Sequence, residues 1–301
     1  MATAAELLEG LLESMGNPVE DDNQNVTGII YGDSGGGKTI TALKLGLAVL
    51  EVRNEPDSAI LMVDAVNAWR SLKNHPELMA LADAGKITRM KYKGKSQLDT
   101  LILALEAQHP KFKNYKVIIL DEASSMTDQD GDVVLKAGAL ADSNKDPDIL
   151  TQPDMGKTTE RMRRTITSLL KVNDISVIFV AHQRQDEDKN VGYKVTRPRF
   201  MPKFSGTIRE GLDFVVHMTA AEGARDGDKI AYVRQLQTSP TRTVVAKSRV
   251  GGLALYETPE RFVAGVAKWL TGEVGDSIVD TVVDDTLPDV GNADFSDAVI
   301  D

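Results

Sequence analysis

One segment leaves this chain little freedom about its fold: Gly32-Asp33-Ser34-Gly35-Gly36-Gly37-Lys38-Thr39, a complete G-x-x-x-x-G-K-[ST] pattern. The pattern carries meaning only between a strand and a helix, and both are predicted here. Val26-Thr27-Gly28-Ile29-Ile30-Tyr31 is a short apolar run that reads as a buried strand, and Ile40 to Leu50 reads as a helix. Glycines let the backbone wrap around phosphates with its N–H groups turned inward. The helix N-terminus adds partial positive charge. Nucleotide contacts are therefore predicted from Gly32 through Ile40. Lys38 would reach the β- and γ-phosphates, and Thr39 would place its hydroxyl on the metal. The implied ligands are ATP and Mg2+.

Composition narrows the class around this loop. A chain of 301 residues can bury one large core with small appendages. It has no cysteine, which excludes disulfides, zinc–thiolate sites and thiol catalysis. The N-terminus lacks a basic region followed by an apolar core, and no apolar run approaches the roughly 20 residues of a membrane span. A cytoplasmic location, with no membrane partner, is the expectation. The net charge of −10 is concentrated in residues 272–301, which hold nine acids and no Lys or Arg. Without them, 35 basic residues face 36 acidic ones, a body of net charge −1 that is compatible with nucleic-acid binding.

Three parts are predicted: an N-terminal helix and linker over 1–25, a core over 26–271 and an acidic disordered tail over 272–301. Leu7, Leu8, Leu11, Leu12 and Met15 share one helical face, suited to docking on the core or on a neighbouring subunit. Within the core, apolar runs end at Asp64, at Asp121-Glu122 and at His182-Gln183, and a further run covers Asp213 to Met218. Helical patterns lie between them at 97–108 and 158–172. This alternation predicts an α/β fold, a mostly parallel twisted sheet with helices on both faces. Lys229–Leu236 and Thr241–Ala246, on either side of Thr238-Ser239-Pro240, read as a following antiparallel hairpin. Thr258-Pro259 opens a last helix with Phe262, Val263, Val266, Trp269 and Leu270 on its apolar face.

Acids at strand ends supply the remaining chemistry. Asp121 closes a buried strand and would hold the hydration shell of Mg2+ together with Thr39. Glu122, the next residue, could orient and deprotonate the attacking water; Asp64 at the neighbouring strand end is its rival. Gln183 follows another strand, at the edge where ligands of open α/β sheets bind, and could sense the γ-phosphate. Gly156-Lys157-Thr158 imitates part of the loop but lacks both its first glycine and a preceding strand.

Residues 184–211 form a long polar insertion. Lys194, Arg197, Arg199, Lys203 and Arg209 are interleaved there with Phe200 and Phe204. Cations for phosphates and aromatic rings for bases are the ingredients of single-strand binding, although a solvated basic loop has the same composition. Lys247-Ser248-Arg249 beside Gly251-Gly252 could neutralise charge on a neighbouring subunit's γ-phosphate, or be an exposed basic turn.

Taken in order, the phosphate loop, Leu120-Asp121, Ala181-His182-Gln183, the basic loop and Ala246-Lys247-Ser248-Arg249 resemble the RecA-like core of recombinases and hexameric helicases. The chain looks closest to the small phage RecA-like ATPases of the Sak-type single-strand annealing and recombination group. The resemblance spans about residues 26–256 and implies ATP hydrolysis between self-associated subunits, in a ring or filament, on single-stranded DNA. It also implies a mobile DNA loop at 184–211, a further one within 123–157, and Lys247 and Arg249 acting in trans. A single-strand-binding or annealing protein would be the natural partner. Two features depart from the family: Val66 stands where its catalytic Glu is expected, and Glu122 follows the Mg2+ aspartate where Ser is usual. A helicase-type or helicase-loading motor, and a nucleotide switch acting only through protein partners, are the alternative functions.

Overall fold

The predicted apolar runs become neighbouring strands of one sheet in the computed structural model, which describes residues 24–146, 148–187, 192–199, 209–226 and 229–273. The helix expected over 4–15, and the tail beyond Glu273, lie outside the described residues. Strands β1 (Thr27–Gly32), β2 (Ala59–Asp64), β3 (Ile87–Lys91), β4 (Tyr115–Asp121), β5 (Ser176–Glu187) and β7 (Phe214–Asp226) run parallel in the order β3-β2-β4-β5-β1-β7. β8 (Lys229–Gln237) and β10 (Tyr256–Glu257) extend that order antiparallel. β6 (Lys194–Pro198) pairs with the far end of β5, and β9 (Lys247–Ser248) with the start of β7.

Strict alternation along the central strands feeds two cores. Ile29, Tyr31, Ile118, Leu120, Val177 and Phe179 face one side, against α3 (Lys95–Glu106), α4 (Ala123–Ala141) and α5 (Gln152–Leu170). Ile30, Val117, Ile119, Ile178 and Val180 face the other, against α1 (Lys38–Arg53), α2 (Pro76–Asp83) and α6 (Pro259–Leu270). Strands buried on both faces are near-continuous apolar runs, which is why they were visible in the sequence. The mostly parallel sheet covered on both sides is the predicted fold class.

Helix α6 seals the second core through Phe262, whose ring meets Phe214 edge-on at 5.2 Å between centroids, both rings fully buried. Phe262→Ala should lower unfolding free energy by about 3–5 kcal/mol in a denaturant titration, with an unchanged slope. A loss under about 1 kcal/mol would mean that α6 is not a structural part of this core.

The antiparallel portion differs from its expectation. Lys229–Gln237 does pair antiparallel, but with β7, which runs on to Asp226 rather than stopping near Met218. Thr241–Ala246 forms no strand with β8, whose outer edge is taken by Tyr256 and Glu257. It turns instead toward β6: the Val245 N–H donates to the Thr196 carbonyl, and the buried Tyr31 hydroxyl donates to the Val245 carbonyl at 2.6 Å. The basic insertion is likewise no plain loop, since Gln183–Glu187 and Lys194–Pro198 form a hairpin. Most of the second loop expected within 123–157 is helix α4 and the start of α5. The latter begins six residues before its apolar pattern, with Pro153 in its first turn and Asp154 accepting from the Thr151 N–H.

Candidate nucleotide-binding site

The glycine loop leaves the sheet at Gly32, where a Cβ atom would lie 2.0 Å from the Met218 carbonyl oxygen of β7. Only glycine permits that approach. At the far end Gly37 adopts φ 96°, ψ 8°, a left-handed conformation that turns the chain into α1 and again favours glycine. No side chain caps α1 and its first turn carries no acid, so its leading N–H groups have no side-chain partner. A helix start of this kind suits an anion.

Lys38 is 5% exposed, and its ammonium folds back to donate to the Asp33 carbonyl at 2.7 Å. Burial holds its pKa below that of an ordinary lysine, opposed by the charges of Glu122, Asp121 and Asp33. A phosphate oxygen in the loop would offer the ammonium a stronger, charge-assisted partner than this carbonyl.

The Thr39 hydroxyl donates to Asp121, with Oγ1 3.1 and 3.3 Å from its two carboxylate oxygens. β5 lies between β1 and β4, so the loop and Asp121 meet across one intervening strand. Asp121 is fully buried with no ion pair among the described residues, and its pKa is pushed up to about 7, first by burial and then by the neighbouring Glu122 charge. A buried acid beside a hydroxyl, at the mouth of an anion cradle, is a donor set that fits Mg2+. Among the described residues no cluster of three or more His, Asp or Glu could hold a metal by itself. Nucleotide oxygens and water would therefore complete the shell.

Glu122 starts α4 in a left-handed conformation, φ 61°, ψ 53°, a costly backbone for a side-chain-bearing residue. Its Oε2 lies 2.9 Å from His182 Nε2 at the continuation of β5. Burial raises the Glu122 pKa, against the opposing charges of His182, Lys38 and Arg199. The sequence places His182 with Gln183 at the ligand-binding edge of the sheet but assigns it no role of its own. Gln183 Oε1 accepts from His217 Nε2 of β7 at 2.6 Å, and that imidazole packs on the Tyr31 ring at 4.9 Å. Burial lowers the pKa of His217, favouring its neutral form.

Asp64 is in a different situation. Its fully buried carboxylate accepts from the N–H groups of Val66, Ala68 and Trp69 at 3.2, 2.9 and 3.2 Å, and from Arg89 Nε at 2.8 Å. It starts the 3-10 turn at Ala68–Asn74 and anchors Arg89, which leaves little capacity for a water.

The other predicted residues lie apart from this cluster. The register places Arg249 beside Asp213 and the start of β1, at the sheet edge opposite Gly32. Its guanidinium is 53% exposed, donates to the Glu210 carbonyl and stands 3.7 Å from Asp213. The Lys247 ammonium donates to the carbonyls of Arg209, Glu210 and Leu212. On the basic hairpin, Lys194 is exposed, Arg197 approaches Asp186 at 3.2 Å and Arg199 pairs with Asp128 at 2.9 Å. Phe200, Lys203 and Phe204 lie outside the described residues. Arg161 pairs with Asp130, and Arg163 and Arg164 with Glu160, so these cations are engaged within the fold. Gly156-Lys157-Thr158 sits inside α5 and forms no loop.

A family model described as AAA domain matches residues 24–250, from the strand before the glycine loop to the segment after β9. No curated protein matches the chain.

Proposed function

The chain belongs to the AAA domain family of P-loop ATPases, and on that premise we propose that it is an ATPase that binds single-stranded DNA and self-associates around the nucleotide, in support of strand annealing or recombination. The observation that carries the nucleotide half is the contact between Thr39 and Asp121 at the mouth of the glycine loop. Loop amides and Lys38 bind the β- and γ-phosphates, while Thr39 and Asp121 hold Mg2+. The metal, when bound, neutralises charge on the phosphate oxygens. Glu122 takes the proton from the attacking water; burial keeps that carboxylate basic enough for the task, and His182 stands 2.9 Å from it. Asp64, engaged by four donors, holds the adjoining turn in place.

Arg249 is too far along the sheet to serve its own loop, so in this proposal it serves the ATP of a neighbouring subunit. The likeness to the Sak-type group supports the DNA half. So does the path of β5, which carries His182 and Gln183 beside Gly32 and then continues into the basic hairpin. Loss of the γ-phosphate, sensed at Gln183, would pass along one strand to the DNA-contacting segment.

The ion pairs at Arg197 and Arg199 favour a second reading, a nucleotide switch acting through protein partners alone. Fluorescence anisotropy with a labelled single-stranded oligonucleotide separates the two. DNA binding should tighten with ATP and weaken with salt. Contacts from Lys194, Arg197, Arg199, Lys203 and Arg209 correspond to a log–log slope of about −3.5. Absence of binding at low salt would leave the protein-only switch.

A further inference from the structure

One cation near the phosphate loop has no part in the site described so far. Arg234 lies on β8, opposite Ala220 of β7. Two residues further along β8, Leu236 is buried in the core shared with α1 and pairs with Met218, which in turn pairs with Gly32 at the end of β1. Alternation puts Arg234 on the same face as Leu236, beyond the end of β1 and over the start of α1. The small Ala220 opposite it leaves room for the side chain to cross.

The contact is close. A Cβ atom on Gly37 would lie 2.8 Å from Arg234 Nε and 3.0 Å from its Cδ, so the arginine stem rests on the glycine that precedes Lys38. Arg234 is exposed, and it makes no hydrogen bond or ion pair among the described residues. An arginine with no carboxylate partner among the described residues, laid against a loop whose own amides already favour an anion, adds positive charge beside the phosphate site.

We propose that Arg234 is a further nucleotide-binding residue, a cationic clamp on the α- and β-phosphates. Direction of approach supports this assignment. Asp121 and Glu122 lie on the β4 side of the loop, where the γ-phosphate must be for water to attack it. Arg234 arrives from the opposite side, across β7 and β8, and so meets the other end of the polyphosphate. A guanidinium can span two phosphate oxygens with its planar fork.

The inference rests on residues 32–39 being the ATP site, and the test separates the two. ATP and ADP affinities of the full chain would be measured by calorimetry for the wild type, Arg234→Ala, Arg234→Lys and Lys38→Ala. Arg234→Ala should weaken ATP and ADP by the same factor, about ten- to a hundred-fold, since both carry the phosphates it grips. Arg234→Lys should recover part of the loss by restoring the charge without the fork. Equal wild-type and Arg234→Ala affinities, with Lys38→Ala defective, would overturn the Arg234 assignment alone. A loss confined to ATP would also overturn it, by placing the guanidinium at the γ-phosphate. Unimpaired binding by Lys38→Ala would overturn the nucleotide site itself.

Discussion

Lys38→Ala should abolish measurable ATP binding while leaving the fold intact. Its ammonium is held in the loop by a single carbonyl at 2.7 Å and is depressed in pKa by burial, so removing it breaks one neutral acceptor contact in the free protein. In the bound state it is expected to bridge two phosphates. Charge-assisted hydrogen bonds contribute about 1.5–3 kcal/mol each, so two of them correspond to roughly 3–6 kcal/mol. That is a weakening of about two to four orders of magnitude. Calorimetric titration with Mg-ATP reads the loss, and an unchanged thermal transition of the free protein shows that the alanine is tolerated. Affinity within about threefold of wild type would remove the loop from the nucleotide site.

The second large effect is expected at Glu122. Glu122→Gln keeps the shape and the hydrogen-bonding capacity of the side chain but removes its ability to take a proton. Turnover should fall by about 10²–10⁴-fold, the usual contribution of a positioned general base, while ATP affinity is retained. The left-handed backbone at Glu122 is unchanged by the exchange, so the amide starts α4 as the acid does. Asp64→Asn should behave differently. It weakens the acceptor that gathers three backbone N–H groups and Arg89, and its primary readout is a lower unfolding temperature. Turnover that survives Glu122→Gln but is lost in a folded Asp64→Asn protein would reverse the two roles.

The parts of this molecule legible in its sequence are those fixed by local pattern. The glycine loop, the strand before it and the acid after Val117–Leu120 each announce themselves within a few residues. Burial on both faces makes the central strands continuous apolar runs, so the parallel sheet could also be read. What escaped was decided by partners far away in the chain. Thr241–Ala246 has the alternation of a strand, yet the Tyr31 hydroxyl and Thr196 draw it toward β6. Glu122 and Asp64 are both strand-end acids in the sequence, Glu122 the favoured base and Asp64 its rival. Their surroundings distinguish them, a single histidine contact for one and four donors for the other. Arg197 and Arg199 counted as free cations until Asp186 and Asp128 came within reach of them. Arg234 had no motif around it; a register between two antiparallel strands put it on Gly37.

Phosphate release from Mg-ATP by the full chain, followed as single-stranded DNA is added, tests the central claim most directly. Turnover that is present without DNA, rises with it and disappears in Glu122→Gln is the predicted result. A chain that releases no phosphate from Mg-ATP at any DNA concentration would contradict it.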